Sequence, residues 1–538
     1  MRQFILSAVL LCVAFTFKAQ TPFTVQVQEI TLEDAPAVQS FVHAQQGNKW
    51  LILGGRTDGL HQRQPFASFL VEGNNTMVYV IDIAAGTVAS ANLDGLEPSI
   101  YESLQSTNQE FEQRDNTLYT MGGYGYSAEA LDHITFPYLT AVDIAGLIAA
   151  VESGQTGAEL APHFRQIEDA FFAITGGYLG LLDNVFYQAG GQYFEGRYNP
   201  MGPDHGPGFI QQYTETISRF TIEDDGETLG FTVLDTWNDP NNLHRRDYNM
   251  APQVFPDGTE GFTMFSGVFQ IDQDIPWHNT VDITADTYTV NNNFDQLLNQ
   301  YHTAHMTIHD AENSAMHTIF FGGMSRYYFN EDGDLFDDIN VPFVTTISKV
   351  SRYADGSMME TAIGDMPGLL GSGAEFIPAA GMTETAHGVL ELDALPNEPV
   401  TVGYLIGGIE SSAENIFFVN DGSQSAATTR VFEVILERGA VGTEEAVISS
   451  SVYFDPQVYP NPTDGDVHLE FHLRSGGQVQ GTLIDSSGAM VQQLFSTSKP
   501  SGWIAYDIDL SSFKPGVYHI QISNHNHRET VPVVVKAR

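Results

Sequence analysis

Along most of this chain apolar and polar residues alternate in short runs, and the runs stop at glycine. Period-two alternation over a few residues predicts half-buried β-strands, and helical periodicity is scarce. The same punctuation returns along the chain: "KWLILGGRTDG" (Lys49 to Gly59), "TLYTMGGYGYS" (Thr117 to Ser127), "NVFYQAGGQYF" (Asn184 to Phe194), "GFTMFSGVFQ" (Gly261 to Gln270), "HTIFFGGMSRYY" (His317 to Tyr328) and "GYLIGGIESS" (Gly403 to Ser412). The pairs begin at Gly54, Gly122, Gly190, Ser266, Gly322 and Gly407, with spacings of 68, 68, 76, 56 and 85 residues. There are six units, the fourth degenerate, with serine in place of the first glycine. A second β-type run follows each pair: "MVYVID" (Met77 to Asp82), "YLTAVD" (Tyr138 to Asp143), "TETISRFTI" (Thr214 to Ile222), "NTVDIT" (Asn279 to Thr284), "VTTISKVS" (Val344 to Ser351) and "TTRVFEVI" (Thr428 to Ile435). Another apolar or small-residue segment usually precedes the pair, as in "AVQSFVHA" (Ala37 to Ala44), so each unit holds four short strands.

Six four-stranded units in series predict an all-β chain built around a six-bladed β-propeller. The glycine pairs and the apolar run ending in Asp resemble the kelch repeat. The glycines allow a sharp turn at the end of the second strand and leave room for the adjoining blade. The repeat is longer than the usual kelch length, and the excess is expected in loops. None of Trp50, Trp237, Trp277 and Trp503 is followed by Asp, so the tryptophan–aspartate propeller signature is absent, as is a sialidase-type box. After the last glycine pair one strand is missing. "FTVQVQEI" (Phe23 to Ile30) alternates in the manner of a half-buried strand and is expected to complete the last blade and close the ring.

A second β-rich region follows a small, polar and acidic linker, residues 438–452. In "VHLEFHL" (Val467 to Leu473) the residues Val467, Leu469, Phe471 and Leu473 share one face. "YHIQIS" (Tyr518 to Ser523) alternates likewise, and turn signals separate the runs. Residues 453–538 are therefore expected to form a small Ig-like β-sandwich. "VYPNPTDGDVHLEF", "LIDSSGAMV", "DLSSFKPGVYHIQI" and the terminal "VPVVVKAR" resemble, in this order, the type A C-terminal sorting domain of the type IX secretion system. The residues carrying the resemblance are Tyr459, Pro460, Asn461, Pro462, Gly465, Gly516, Tyr518 and Lys536. It implies a Bacteroidetes-type secreted protein, passage through the periplasm, and the type IX machinery and its sortase as partners. The tail would be removed in the linker and the protein released or attached at the cell surface.

The other end fits that route. "MRQFILSAVLLCVAFTFKAQ" has Arg2, an apolar stretch from Phe4 to Phe17 and small Ala19, the pattern of a signal peptide over residues 1–19. The propeller then spans residues 20–437. No later segment is apolar and long enough to span a bilayer as a helix. The only cysteine, Cys12, lies inside the signal, so the mature chain has no disulfide and no cysteine metal site. With Lys+Arg 22 against Asp+Glu 67, the formal net charge is −45. Such a surface repels phosphate backbones and excludes nucleic acid as a partner class.

In a propeller the connections after the second strands emerge on one face, together with the lead-ins to the inner strands. These segments carry Arg56, Tyr124, Tyr193, Arg245, Arg246, His302, Arg326 and Tyr327, in a chain otherwise poor in arginine. Arg and Tyr gathered where loops converge suggest a recognition face for a glycan or protein ligand, although tyrosines at strand ends often only cover blade edges. "YHTAHMTIHD" places His305 and His309 on one strand face and His302 on the other, which argues for packed histidines rather than a metal site. "NEDGDLFDD" sets Asn330, Asp332, Asp334, Asp337 and Asp338 around Gly333, a cluster that suits Ca²⁺ but lacks the full loop and its final Glu. An acidic surface turn is the plainer reading of it.

Hydrolase, zinc-protease and phosphate-loop signatures are absent. The resemblance to kelch proteins includes galactose oxidase, whose cysteine-linked tyrosine radical is excluded by the lack of a mature cysteine. The reading is a secreted or cell-surface binding protein rather than an enzyme. The alternatives are an extracellular carbohydrate-active enzyme (mutarotase or lyase type) and a structural or adhesion component. A deep axial pocket with Arg, His and carboxylates would favour catalysis; a shallow aromatic face would favour binding.

Overall fold

The computed structural model describes residues 22–538 except 65, 330–334, 386, 440–445, 448–453, 455, 474–476, 486–488, 500–501, 525–527 and 537–538. The signal segment, 1–19, lies outside the described residues.

Six antiparallel four-stranded blades stand in chain order, each running from the inner to the outer strand. Blade 1 is Val42–Gln46, Lys49–Leu53, Met77–Asp82 and Thr87–Asn92; blade 2 is Glu110–Arg114, Thr117–Met121, Tyr138–Asp143 and Phe164–Glu168. Blade 3 is Tyr178–Leu182, Val185–Ala189, Thr216–Asp224 and Leu229–Asn238; blade 4 is Asn249–Val254, Glu260–Phe265, Thr280–Ile283 and Tyr288–Asn291. Blade 5 is His305–Asp310, Ala315–Met324, Phe343–Arg352 and Met358–Asp365, extended by Leu390–Glu391 inside and Ala446–Val447 outside. Blade 6 combines Ala374–Pro378, Val400–Gly407 and Val431–Arg438 with Phe23–Ile30. That last pairing runs in register from Phe23 opposite Arg438 to Ile30 opposite Val431, so the first strand closes the ring.

Apolar residues fill the seams between blades. Val42, Leu53 and Val80 of blade 1 meet Leu118 and Val142 of blade 2. Phe186 and Phe220 of blade 3 meet Tyr119 and Leu139 of blade 2. Trp50 and Ile81 of blade 1 meet Ile406 and Val431 of blade 6, across the closure. The glycine pairs work at these seams. Gly122 has φ +66°, and a Cβ there would lie 1.8 Å from the Ile174 carbonyl oxygen of the segment leading into blade 3. The second residue of the pair donates its N–H to that lead-in: Gly55 to Ser106 O, Gly123 to Ile174 O, Gly191 to Arg245 O, Gly323 to Leu370 O and Gly408 to Val38 O, at 2.7–2.9 Å. The turn is thus also a latch to the next blade.

The extra repeat length is not all loop. A further sheet, ordered Ile210–Tyr213, Gln192–Glu195, Asp132–Thr135, Tyr124–Ser127, lies across the connections of blades 2 and 3. A helix, Ile144–Glu152, follows the third strand of blade 2, and the carboxylate of Asp143 caps it by accepting from the Gly146 N–H. The strand-ending Asp here is a helix cap as well as a repeat mark.

The tail is a two-sheet sandwich. One sheet holds Gln457–Tyr459, Asp466–Leu473 and Gly502–Asp509; the other holds Met490–Lys499, Gly477–Asp485, Gly516–Ser523 and Arg528–Val535. Val467, Leu469, Phe471 and Leu473 are all buried in its core with Ile520 and Ile522, the face set by their alternation.

Candidate functional site

Each inner strand is preceded by a residue with positive φ: Ser40, Asn108, Gly176, Asp247, His302 and Gly373. These six form a collar about the propeller axis. Backbone bonds pass around it from Ser40 N to Gly373 O, Asn108 N to Ser40 O, Gly176 N to Asn108 O, Asp247 N to Gly176 O and Gly373 N to His302 O, at 2.7–3.2 Å. The remaining neighbours, Asp247 and His302, make no such bond. Below the collar, side chains occupy the axis. Glu375 lies 3.5 Å from His302 and 3.9 Å from His43, and Tyr178 packs against His302 and His305.

Above the collar lies a cavity of about 390 Å³, walled by connections from every blade. That volume is ordinary for a small-molecule site. Its aromatic wall is continuous: Phe69 contacts Tyr124, His61 and Tyr198, and Phe194 contacts Tyr124 and Tyr198. Tyr124 is held in place by donating to Gly196 O at 2.8 Å and accepting from Tyr198 N at 2.9 Å. The polar side of the cavity includes Arg56, Arg246, Asp247, Tyr301 and His302.

Most of these polar groups are already engaged. Arg56 donates to both carboxylate oxygens of Asp58, to Asn74 Oδ1 and to Leu70 O, and lies over Phe69. Arg246 pairs with Asp247 and donates to Tyr213 Oη at 3.0 Å. Burial opposes the charge on His302, but the hydrogen bond and charge of Glu375 outweigh it and raise its pKa. His61, on the facing wall, is pushed down to about 4, chiefly by burial, so it is neutral at pH 7. Two groups are exceptions: Tyr301 Oη and His61 Nδ1 are buried without a hydrogen-bond partner.

Of the residues singled out from the sequence, Arg56, Tyr124, Arg246 and His302 meet in this cavity. Tyr193 lies outside it, donating to Glu195. Arg245 is fully buried, with its donors on Asn242 O, Ser266 O, Asn279 O and Asn279 Oδ1 and its plane against Trp277, so it belongs to the scaffold. Arg326 holds Asp337 at 2.6 Å, and Tyr327 is buried beside His278, Leu297 and Leu298. Both brace the blade 5 connection instead of facing the cavity. Of the Ca²⁺ candidates, Asn330, Asp332 and Asp334 lie outside the described residues. Asp337 is taken by Arg326, and Asp338 accepts from Asn415 Nδ2 at 2.6 Å. Among the described residues no His, Cys, Asp and Glu cluster has metal-binding geometry.

Sequence reasoning missed His61, Phe194, Tyr301 and Phe417, and it missed the collar. A collar signal exists: the positive-φ residue stands 14 residues before the glycine pair in the first three units (40 to 54, 108 to 122, 176 to 190). Longer hairpins break that spacing afterwards.

The tail holds a second site. Asn461 donates to Pro532 O at 2.7 Å and accepts from Val534 N at 2.9 Å. Thr463 N donates to Val534 O, and Lys536 N donates to Thr463 O. Gly465 is fixed by Thr463 Oγ1, while Gly516 and Tyr518 pair with Val535 and Val533 of the same terminal strand. Tyr459 stays about half exposed, and Lys536 lies 3.6 Å from Asp464. Sequence elements from both ends of the domain thus form one clasped patch.

A ring of six four-stranded blades latched by glycine pairs, with a sandwich tail clasped in this way, defines a six-bladed β-propeller carrying a type IX sorting domain. Residues 457–536 match the secretion system C-terminal sorting domain. That domain directs the chain to the outer surface or the extracellular space and implies contact with the type IX machinery. Among solved structures, the chain is similar to that of YjhT at 10% identity and a TM-score of 0.42, covering 78% of this chain and 100% of that one. It is also similar to PorZ, described as an essential bacterial surface component of the type IX secretion system of Porphyromonas gingivalis. There the identity is 11% and the TM-score 0.15, covering 93% of this chain and 75% of that one. A search of curated proteins finds no match. No helix among the described residues is long and apolar enough to cross a membrane.

Proposed function

We propose that the exported propeller is a binding protein that holds a compact ligand in the axial cavity, either a sugar ring or a peptide side chain. The observation that supports this best is the cavity's make-up: a continuous aromatic wall faces polar groups whose charges are already paired. Aromatic faces take the apolar side of a ligand, and fixed polar groups orient its edge without reorganisation. Tyr301 Oη, buried and unpartnered, supplies a donor or acceptor that a ligand would satisfy. The tail delivers this module, and the secretion system's sortase removes it within residues 438–452.

Glycan and peptide arrays probed with the full chain test the reading. Tyr301→Phe keeps the ring and removes only the unpartnered hydroxyl. It should weaken any array hit about tenfold while leaving Tm unchanged, whereas Tyr198→Ala should remove the hit. Hits unaltered in both variants overturn the axial site.

The second reading, a carbohydrate-active enzyme of mutarotase or lyase type, is favoured by one arrangement. Tyr301, His302 and the Arg246–Asp247 pair line the same cavity. Proton NMR of an array hit mixed with the protein separates the two. Bond cleavage or accelerated anomer exchange, lost in His302→Gln, would establish catalysis.

A further inference from the structure

Large hydrophobic side chains are exposed on one face of the propeller and almost nowhere else on it. Among the described residues, twelve in the propeller are exposed, and ten of them lie on the connections between second and third strands. The other two, Val233 and Leu234, lie on the outer strand of blade 3. Each blade contributes at least one: Phe66, Leu131, Ile210, Ile271, Ile339 and Phe418 in blade order. Their exposure runs from 48% at Ile210 to 77% at Ile339, so none is merely grazing the surface. Ile339 and Phe418 also line the axial cavity, which places that part of the crown at its mouth. Exposed apolar side chains gathered on one face mark an interaction site.

The charges set among these residues say what covers them. The six connections contain no lysine. Five arginines lie on them: Arg56, Arg326 and Arg430 are neutralised within the chain by Asp58, Asp337 and the pair Glu29 and Glu410, while Arg63 lies over Phe418 and Arg197 donates to Phe66 O, so carboxylates still outnumber the cations. Exposed carboxylates such as Glu129, Asp204, Asp272 and Asp421 stand between the apolar residues. An acidic face repels a second copy of itself and an anionic lipid surface. Aliphatic side chains, four of the six named, offer no flat ring for a sugar to stack on.

We propose that the whole loop face docks a basic, amphipathic polypeptide segment, with its apolar side chains on the crown and its cations among the loop carboxylates. The crown contact is separate from the ligand held in the axial cavity.

Fluorescence anisotropy with the full chain tests this, using short labelled probes of alternating Lys and Leu, Lys and Ser, and Glu and Leu. The Lys–Leu probe should bind about tenfold more tightly than either control and weaken as salt is raised. The triple variant Leu131→Ser, Ile210→Ser, Ile271→Ser should lose that preference with Tm unchanged. Asn340→Trp, which fills the cavity, should abolish small-ligand binding and keep the preference. A Lys–Leu probe bound no better than Lys–Ser, or a triple variant that binds like the parent, overturns the proposal. Loss of the preference in Asn340→Trp overturns a crown contact distinct from the cavity. Binding to neutral phosphatidylcholine vesicles but not to the Lys–Leu probe, absent in the triple variant, overturns a polypeptide as the partner.

Discussion

The seam between blades 1 and 2 and the seam between blades 4 and 5 hold the same ring together by different means. The first buries nineteen apolar side chains, including Leu53, Leu118 and Val142. The second buries five, with Phe265 and Phe320 in edge contact at 5.2 Å. Polar groups do the rest there. Asn249 Nδ2 donates to Gln300 O at 2.7 Å, and its Oδ1 accepts from Thr303 N at 2.9 Å. Gln253 reaches Thr318 Oγ1, and Arg352 of blade 5 grips Asp282 and Thr263 of blade 4. Two other irregularities fall at the same place. The fourth glycine pair is Ser266–Gly267, and the collar lacks its bond between Asp247 and His302. Where the repeat signature fades, the seam changes from apolar contact to hydrogen bonding. Apolar seams gain from area and forgive small shifts, whereas a buried hydrogen-bonded seam depends on every partner being present.

Three measurements break or sharpen that contrast. Leu118→Ala in the apolar seam should lower the unfolding free energy by about 3 kcal/mol in urea titrations. A cost under about 1 kcal/mol would show that this seam is not close-packed. Asn249→Ala should cost about 2 kcal/mol, because it leaves the Gln300 carbonyl and the Thr303 N–H buried without partners. If Asn249→Ala is neutral, hydrogen bonds do not hold the polar seam.

The third effect is conditional on pH. Glu360 of blade 5 accepts from Leu297 N and Leu298 N in the segment leading from blade 4 to blade 5. Burial pushes its carboxyl up from the ordinary 4.5 to about 8. A folded pKa above the unfolded one favours folding below pH 4.5, and this contribution is lost as pH rises through 8. Glu360→Gln should therefore raise Tm relative to the parent above pH 8, with the difference closing below pH 4.5. An equal Tm difference at both ends would show that the carboxyl does not titrate in this window.

The fold was legible because it repeats. Glycine pairs such as Gly122–Gly123 recur at the one place where a Cβ would strike the next lead-in, and alternation placed Phe23–Ile30 as the closing strand. The sorting tail was legible because its Tyr459-to-Gly465 segment and terminal strand must reproduce one clasp. The cavity was only half legible. Arg56, Tyr124, Arg246 and His302 follow directly from the repeat register, since they sit just after a glycine pair or just before an inner strand. His61, Phe194, Tyr301 and Phe417 belong mostly to connections that differ in every blade, and only folding brings them together. Arg245 shows the opposite error: next to Arg246 in sequence, it points into the scaffold because adjacent residues of an extended segment face opposite ways.

The closing strand also sets an order of events. Phe23–Ile30 leaves the ribosome before any blade exists, and its partner, Val431–Arg438, is among the last parts of the propeller to be made. Until then the outermost position of blade 6 stands empty and the eight residues that fill it have nowhere to pair. Joining segments so distant in sequence carries a large loop-closure entropy. The propeller therefore becomes a ring only once both its first strand and its last are present.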